Sequence, residues 1–279
     1  MPRNFNNVLP LLLLAACTLP ASETLRIVQP QVSFSEDGQP ADGQFQPGEN
    51  VFFSAFVTGF QVSPIQKVQL TYNLTATDPQ GIPILQPVHS EFSASLLPED
   101  KDWHPRIREV FAIPPIAPPG AYKAHVTVTD TLSHQSVEQD IAIPVRARAV
   151  EPSPALTFRN FGFYTSEDDP HPLPEPTYKP GATVFARFDI TGYKFGPGNS
   201  LEVAYGVALL NAEGKSLYSQ PVAATEKSSG FYPQPYVPAG MTLNLDKTIR
   251  PGTYTLLLTL TDAKGNQKTD QRYPFQVAP

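Results

Sequence analysis

Cysteine is almost absent from this chain, with Cys17 the one example in 279 residues. A lone thiol cannot close a disulfide within the chain, so no disulfide framework organises the fold. Charge is thin as well: Asp, Glu, Lys and Arg make up 16% of the residues. The formal net charge of −6 comes without a basic patch, which speaks against nucleic acid as a partner and against polybasic attachment to acidic lipid. No apolar run reaches the ~20 residues that a membrane-spanning helix needs. Catalytic signatures are missing too, since no Gly-x-Ser-x-Gly, His-Glu-x-x-His or Walker-type glycine loop occurs. The expectation is therefore a protein that is not an enzyme. A site assembled from distant segments is the alternative.

What is abundant is proline, at 32 residues, together with 17 Phe and 11 Tyr. Proline gives no backbone donor and breaks helix interiors, yet it is tolerated at strand edges and in turns. With 41% hydrophobic residues the chain can build a core, and the composition points to β structure cut by many loops.

The N-terminal stretch has its own logic. A polar start with Arg3 leads into an apolar run, Val8 to Ala16, interrupted by Pro10. It is too short to span a bilayer and fits the apolar region of an export signal. Leu14-Ala15-Ala16-Cys17 resembles the lipobox of bacterial lipoproteins, an aliphatic residue and two small ones before a cysteine. The resemblance implies cleavage before Cys17, residues 1–16 being the signal peptide, and lipidation of its sulfur. At ~0.8 kcal/mol per buried CH2, two or three acyl chains make a durable anchor. Thr18 in the following position leans the expected address towards the outer membrane of a bacterial envelope.

Beyond a short tether, 17–24, the chain repeats itself. Pro47-Gly48 with Val51-Phe52 recurs as Pro180-Gly181 with Val184-Phe185. The same spacing carries Thr58-Gly59-Phe60 onto Thr191-Gly192-Tyr193, and Tyr72 onto Tyr205. Pro119-Gly120-x-Tyr122 and Thr129-Asp130 reappear as Pro251-Gly252-x-Tyr254 and Thr261-Asp262. Kept in order over both halves, these matches predict an internal duplication, with units at 25–149 and 155–279 and a proline-rich linker at 150–154.

Inside each unit the apolar period is two. Val51, Phe53, Ala55 and Val57 would share one face, as would Val184, Ala186, Phe188 and Ile190. Tyr122-x-Ala-x-Val-x-Val128 and Tyr254-x-Leu-x-Leu-x-Leu260 alternate in the same way. Strands of this length between Gly, Pro and Asp turns predict an all-β chain of two tandem antiparallel β-sandwich domains. The run of Pro-Gly-x-Tyr, alternating strand, Thr-Asp, turn and final strand resembles the C-terminal half of bacterial immunoglobulin-like and fibronectin type III domains. In such folds Tyr122 and Tyr254 would tie a loop to the strand.

Two sets of residues are candidates for chemistry. The loops with Glu36, Asp37 and Asp42, and with Glu167, Asp168 and Asp169, offer carboxylates that Ca2+ would take. The competing reading is turns of Ser, Asp and Gly facing water, since the Asp-x-Asp-x-Asp spacing of an EF-hand is missing. Trp103-His104-Pro105 aligns with Phe231-Tyr232-Pro233, with Tyr236 nearby. Such rings can stack on sugars or anchor a protein partner, or they can fold back as a lid over the sandwich end. The expected function is a non-enzymatic envelope lipoprotein binding a protein or polysaccharide through its loops, with a carbohydrate-binding accessory role as the alternative.

Overall fold

Residues 24–100 and 102–279 are described by the computed structural model, so Cys17 and the expected signal segment lie outside the described residues. The chain is all-β: fifteen strands and one short 3-10 turn, Pro197–Asn199, form the regular structure of that part. No helix among the described residues is long and apolar enough to cross a membrane.

The first seven strands are β1 (Arg26–Ser33), β2 (Asn50–Thr58), β3 (Lys67–Thr77), β4 (Val88–Ser95), β5 (Arg106–Ala112), β6 (Gly120–Asp130) and β7 (Ser136–Val145). They form a sheet of order β1-β2-β5 and another of order β4-β3-β6-β7. The next eight are β8 (Thr157–Tyr164), β9 (Thr177–Tyr178), β10 (Thr183–Thr191), β11 (Leu201–Leu210), β12 (Ser216–Ser228), β13 (Val237–Asn244), β14 (Gly252–Asp262) and β15 (Gln267–Val277). Their sheets have the orders β13-β10-β8 and β12-β11-β14-β15-β9. Pairing is antiparallel except where β9 adds to β15 in parallel, and a single parallel bridge joins Phe45 to Val145 at the matching place. The antiparallel expectation misses these short crossings, which carry the chain from the small sheet onto the edge of the large one.

Each pair of sheets encloses one apolar cluster. Alternation decides which side chains enter it, because successive residues of a strand point to opposite faces. Val51, Phe53, Ala55 and Val57 of β2 are buried, and so are Val184, Ala186, Phe188 and Ile190 of β10. Tyr122, Ala124, Val126 and Val128 of β6 face them from the opposite sheet, as do Tyr254, Leu256, Leu258 and Leu260 of β14. At ~1.5–3 kcal/mol for each large aliphatic or aromatic side chain removed from water, these four strands supply much of the driving force.

The same three fastenings occur in both halves. The Tyr122 hydroxyl donates to the Pro118 carbonyl at 2.9 Å, and Tyr254 donates to Arg250 at 2.8 Å, tying each strand to the loop before it. Gly59 and Gly192 have φ of +72° and +78°, and a Cβ there would lie 2.1 and 2.0 Å from the carbonyl oxygens of Thr24 and Ala155. Only glycine fits both demands. The third fastening is a buried carboxylate. Asp130 accepts the Gln61 N–H at 2.7 Å, the Leu132 N–H at 2.9 Å and the Ser133 hydroxyl at 2.7 Å. Asp262 accepts the N–H groups of Lys194 and Lys264, each at 2.9 Å. Burial works against the charged form of Asp130, but the bonds from Gln61, Ser133 and Leu132 outweigh it and hold its carboxyl below the usual aspartate range.

Candidate functional site

The aromatic residues singled out in the sequence lie in two separate places. Trp103 follows a turn in which the Leu97 N–H donates to Asp100 Oδ2 at 2.8 Å and the Trp103 N–H to the Asp100 carbonyl at 3.2 Å. That turn lays the indole half-buried on the first cluster, stacked on Phe92 at 5.7 Å and edge-on to Phe60 at 6.2 Å. His104 is exposed, its Nδ1 set 2.9 Å from the Trp103 carbonyl.

Tyr232 does something different. It belongs by sequence to the second half, yet its ring packs against the first apolar cluster, and its hydroxyl donates to Asp78 Oδ2 at 2.9 Å. Asp78 is buried, and its other oxygen accepts the N–H groups of Gln80 and Ile82, both at 2.8 Å. Burial, and then the Asp78 carboxylate, hold the Tyr232 phenol well above its ordinary range. Burial, helped by Asp78, likewise pushes Tyr122 up to about 12. The loop is pinned by Asn199, whose Nδ2 donates to the Phe231 carbonyl at 2.6 Å while the Phe231 ring is left exposed.

A few residues on, Tyr236 carries the Arg148 guanidinium 5.2 Å above its ring. Arg148 pairs with Asp189, a carboxylate with no exposed surface, which also accepts the Asn160 amide at 2.8 Å. The hydrogen bond to Asp189 holds the guanidinium's pKa above its ordinary value against the opposing effect of burial. Trp103 and Tyr232 therefore do not meet. Phe92, beneath Trp103, pairs with Leu70, and the chain from Leu70 to Asp78 runs ~26 Å at ~3.3 Å per residue. Asp78, Arg148 and Asp189 went unnoticed in the sequence. The one signal was a charged residue, Asp189, among the apolar neighbours of β10.

The acidic loops do not gather into a cation cage. Asp37 pairs with Arg106 at 3.3 Å and with Arg108 at 3.2 Å, and Glu36 lies 3.6 Å from Arg108. Asp42 is exposed, as are Glu167 and Asp168. Asp169 closes its own turn, accepting the Thr165 hydroxyl at 2.5 Å and the His171 N–H at 3.0 Å, and these two bonds lower its pKa. Among the described residues no three His, Cys, Asp or Glu side chains stand where they could hold a metal ion. A divalent cation would have to displace two arginines from Asp37.

One constellation has the order of a nucleophile, a base and an acid. Thr127 Oγ1 is 3.3 Å from His125 Nε2, and His125 Nδ1 is 2.6 Å from Asp140. These groups stand on an open sheet face whose backbone N–H groups are committed to the ladders of β6 with β3 and β7, so the sheet offers no pair of donors for an oxyanion.

Two hollows lie on the outer faces of the small sheets, each beside an acidic loop. That on β1-β2-β5 has a volume of about 280 Å³ and that on β10-β13 about 620 Å³. A guanidinium stands at each. Arg106 comes from β5 in the first, and Arg187 from β10 in the second, where it covers the Tyr164 ring at 3.7 Å.

No family model and no curated protein matches the sequence. Among solved structures, the chain is similar to a family 123 glycoside hydrolase from Clostridium perfringens, with 11% identity and a TM-score of 0.30. The similarity covers 44% of this chain and 27% of that one, and nothing about this chain's function follows from a likeness at that level.

Proposed function

We propose that this chain is a lipid-anchored, exported envelope protein acting as a non-enzymatic binding or structural module. In this reading Cys17 is the anchor, and two immunoglobulin-like β-sandwiches, derived from one by duplication, stand on it in tandem. The recurrence of three unlike fastenings supports the duplication: tyrosine to carbonyl at Tyr122 and Tyr254, crowded glycine at Gly59 and Gly192, buried carboxylate at Asp130 and Asp262.

The observation that carries the module reading is the seam between the halves. Tyr232 reaches Asp78 and the first cluster, while Arg148 reaches the buried Asp189. Two units fastened in this way form a stiff support, and function then belongs to the loops and outer faces that it presents. The partner is an envelope protein or a polysaccharide. Crosslinking in the native envelope, followed by analysis of captured proteins and glycans, tests this. A defined partner is expected, together with a mature N-terminal peptide whose mass shows an acylated Cys17. Recovery of an unmodified N-terminus, or of soluble protein with neither kind of partner, would remove the proposal.

A further inference from the structure

The two halves differ at one place on their outer faces, and the difference is informative. In β1 the register slips between Val28 and Gln31, and in β8 it slips at the matching point, opposite the stretch from Arg187 to Asp189. Gln29 and Asn160 occupy these bulges with φ of 50° and 49°. At the second bulge side chains fill the surface between β8 and β10, and the hollow of that half lies over β10 and β13 instead. Arg148 and Asn160 both bond to Asp189, and Pro172 lies against Gly162, where a Cβ would come within 2.9 Å of its ring. At the first bulge Gln31 stands where the second half has Gly162, Phe56 stands where it has Asp189, and the hollow stays open.

Its lining has a definite chemical character. Gln29, Gln31 and Gln39 contribute carboxamides with N–H donors and a carbonyl acceptor, of which Gln31 already gives one N–H to the Gly38 carbonyl at 3.5 Å. Ser54 is buried on the floor, where its hydroxyl accepts Arg106 at 3.3 Å. The Arg106 Nε is buried without a hydrogen-bond partner. The guanidinium of Arg106 and the carboxylate of Asp37 neutralise each other, so the site has no net charge to offer an ion. The Phe56 ring adds an apolar surface, over part of which the Arg106 guanidinium lies at 5.5 Å from the centroid. At about 280 Å³ the hollow falls just below the ~300–1,000 Å³ typical of ligand sites, which suits one ring rather than a long chain.

From this we infer that the hollow on β1-β2-β5 binds a neutral polyhydroxylated ligand, one sugar ring of a glycan. Hydroxyl groups both donate and accept, which matches carboxamides and a guanidinium, and the C–H groups of a ring suit the part of Phe56 that Arg106 leaves uncovered. The inference rests on the reading of the chain as a binding module and names a ligand for one face of it.

Saturation-transfer NMR on the full chain provides the test, with methyl glucoside, methyl galactoside, N-acetylglucosamine and glucuronate as probes, each at millimolar concentration. Transfer to at least one neutral sugar is expected. Affinity should fall about fivefold in Gln31→Ala, as for the loss of one net hydrogen bond, and further in Phe56→Ala. Thr242→Ala, on the outer face of the second half, should leave it unchanged, and the melting temperature of each variant confirms folding. Transfer to glucuronate alone, an affinity unchanged in Gln31→Ala, or no transfer to any sugar would overturn the assignment. A protein partner captured by crosslinking alongside a silent NMR experiment would overturn the sugar site alone and leave the module standing.

Discussion

Replacing Tyr232 by Phe removes one hydroxyl from the seam and leaves the ring in place. The structure sets the consequence. Asp78 Oδ1 keeps the N–H groups of Gln80 and Ile82, but Oδ2 loses the donor it has from Tyr232. A buried carboxylate oxygen without a partner costs about 1–3 kcal/mol, so Y232F should destabilise the protein by that amount. Asp78→Asn is the natural second arm, because the equivalent turn in the second half already uses Asn211, which accepts the Lys215 N–H at 2.8 Å. The turn should therefore survive D78N, and in that background the carboxylate that Tyr232 serves is gone. Urea titrations of the four proteins close a double-mutant cycle with an expected coupling of about 1–2 kcal/mol. The reasoning fails if the two substitutions add to within ~0.5 kcal/mol, the behaviour of independent sites.

Asp130→Ala strands the Gln61 and Leu132 N–H groups and should cost about 3–5 kcal/mol, read from the same titrations. The native pKa of Asp130 is lowered, so its stabilisation is complete above the unfolded value and is lost as pH falls through the native one. The acid limb of a pH–stability curve should accordingly flatten in Asp130→Asn. Trp103→Ala should cost about 2–4 kcal/mol, less than a fully buried indole, since the ring is half-covered by Phe60 and Phe92. A stable variant that has lost a captured partner would instead make that ring a contact residue. Millimolar Ca2+ should leave the melting temperature unchanged, and a rise of several degrees would show that the acidic loops bind it despite Arg106 and Arg108.

How much of this was legible follows from the range of each interaction. The alternation of Val51 to Val57 and of Tyr254 to Leu260 is a local pattern, and it placed the core strands on the correct face. β12 offers no such pattern. As an edge strand exposed along nearly its whole length, it has no buried face to write an alternation into its sequence. Thr129-Asp130 and Thr261-Asp262 read as simple turns, because nothing nearby reveals that each carboxylate will be claimed by a loop far away in sequence, at Gln61 or Lys194. Trp103-His104-Pro105 and Phe231-Tyr232-Pro233 look alike in sequence, but the strand register sets Arg106 level with Pro238 and so Trp103 level with Pro235, and likeness says nothing about neighbours. The loop of the second half abuts the first half, while the loop of the first half folds onto its own end. The hollow beside Gln29 was hidden for another reason. It depends on a bulge that turns one residue, followed by Pro30 with no N–H for the ladder, out of a regular strand.

The Tyr232 hydroxyl has a genetic meaning beyond its hydrogen bond. Asp78 is encoded in the first half and its donor in the second, so either half expressed alone would be left with an unmatched polar group and an uncovered apolar rim. A recombination event that moved one half into another gene would carry away half of a lock. Substitutions in the two halves are therefore coupled at the residues that meet across the seam.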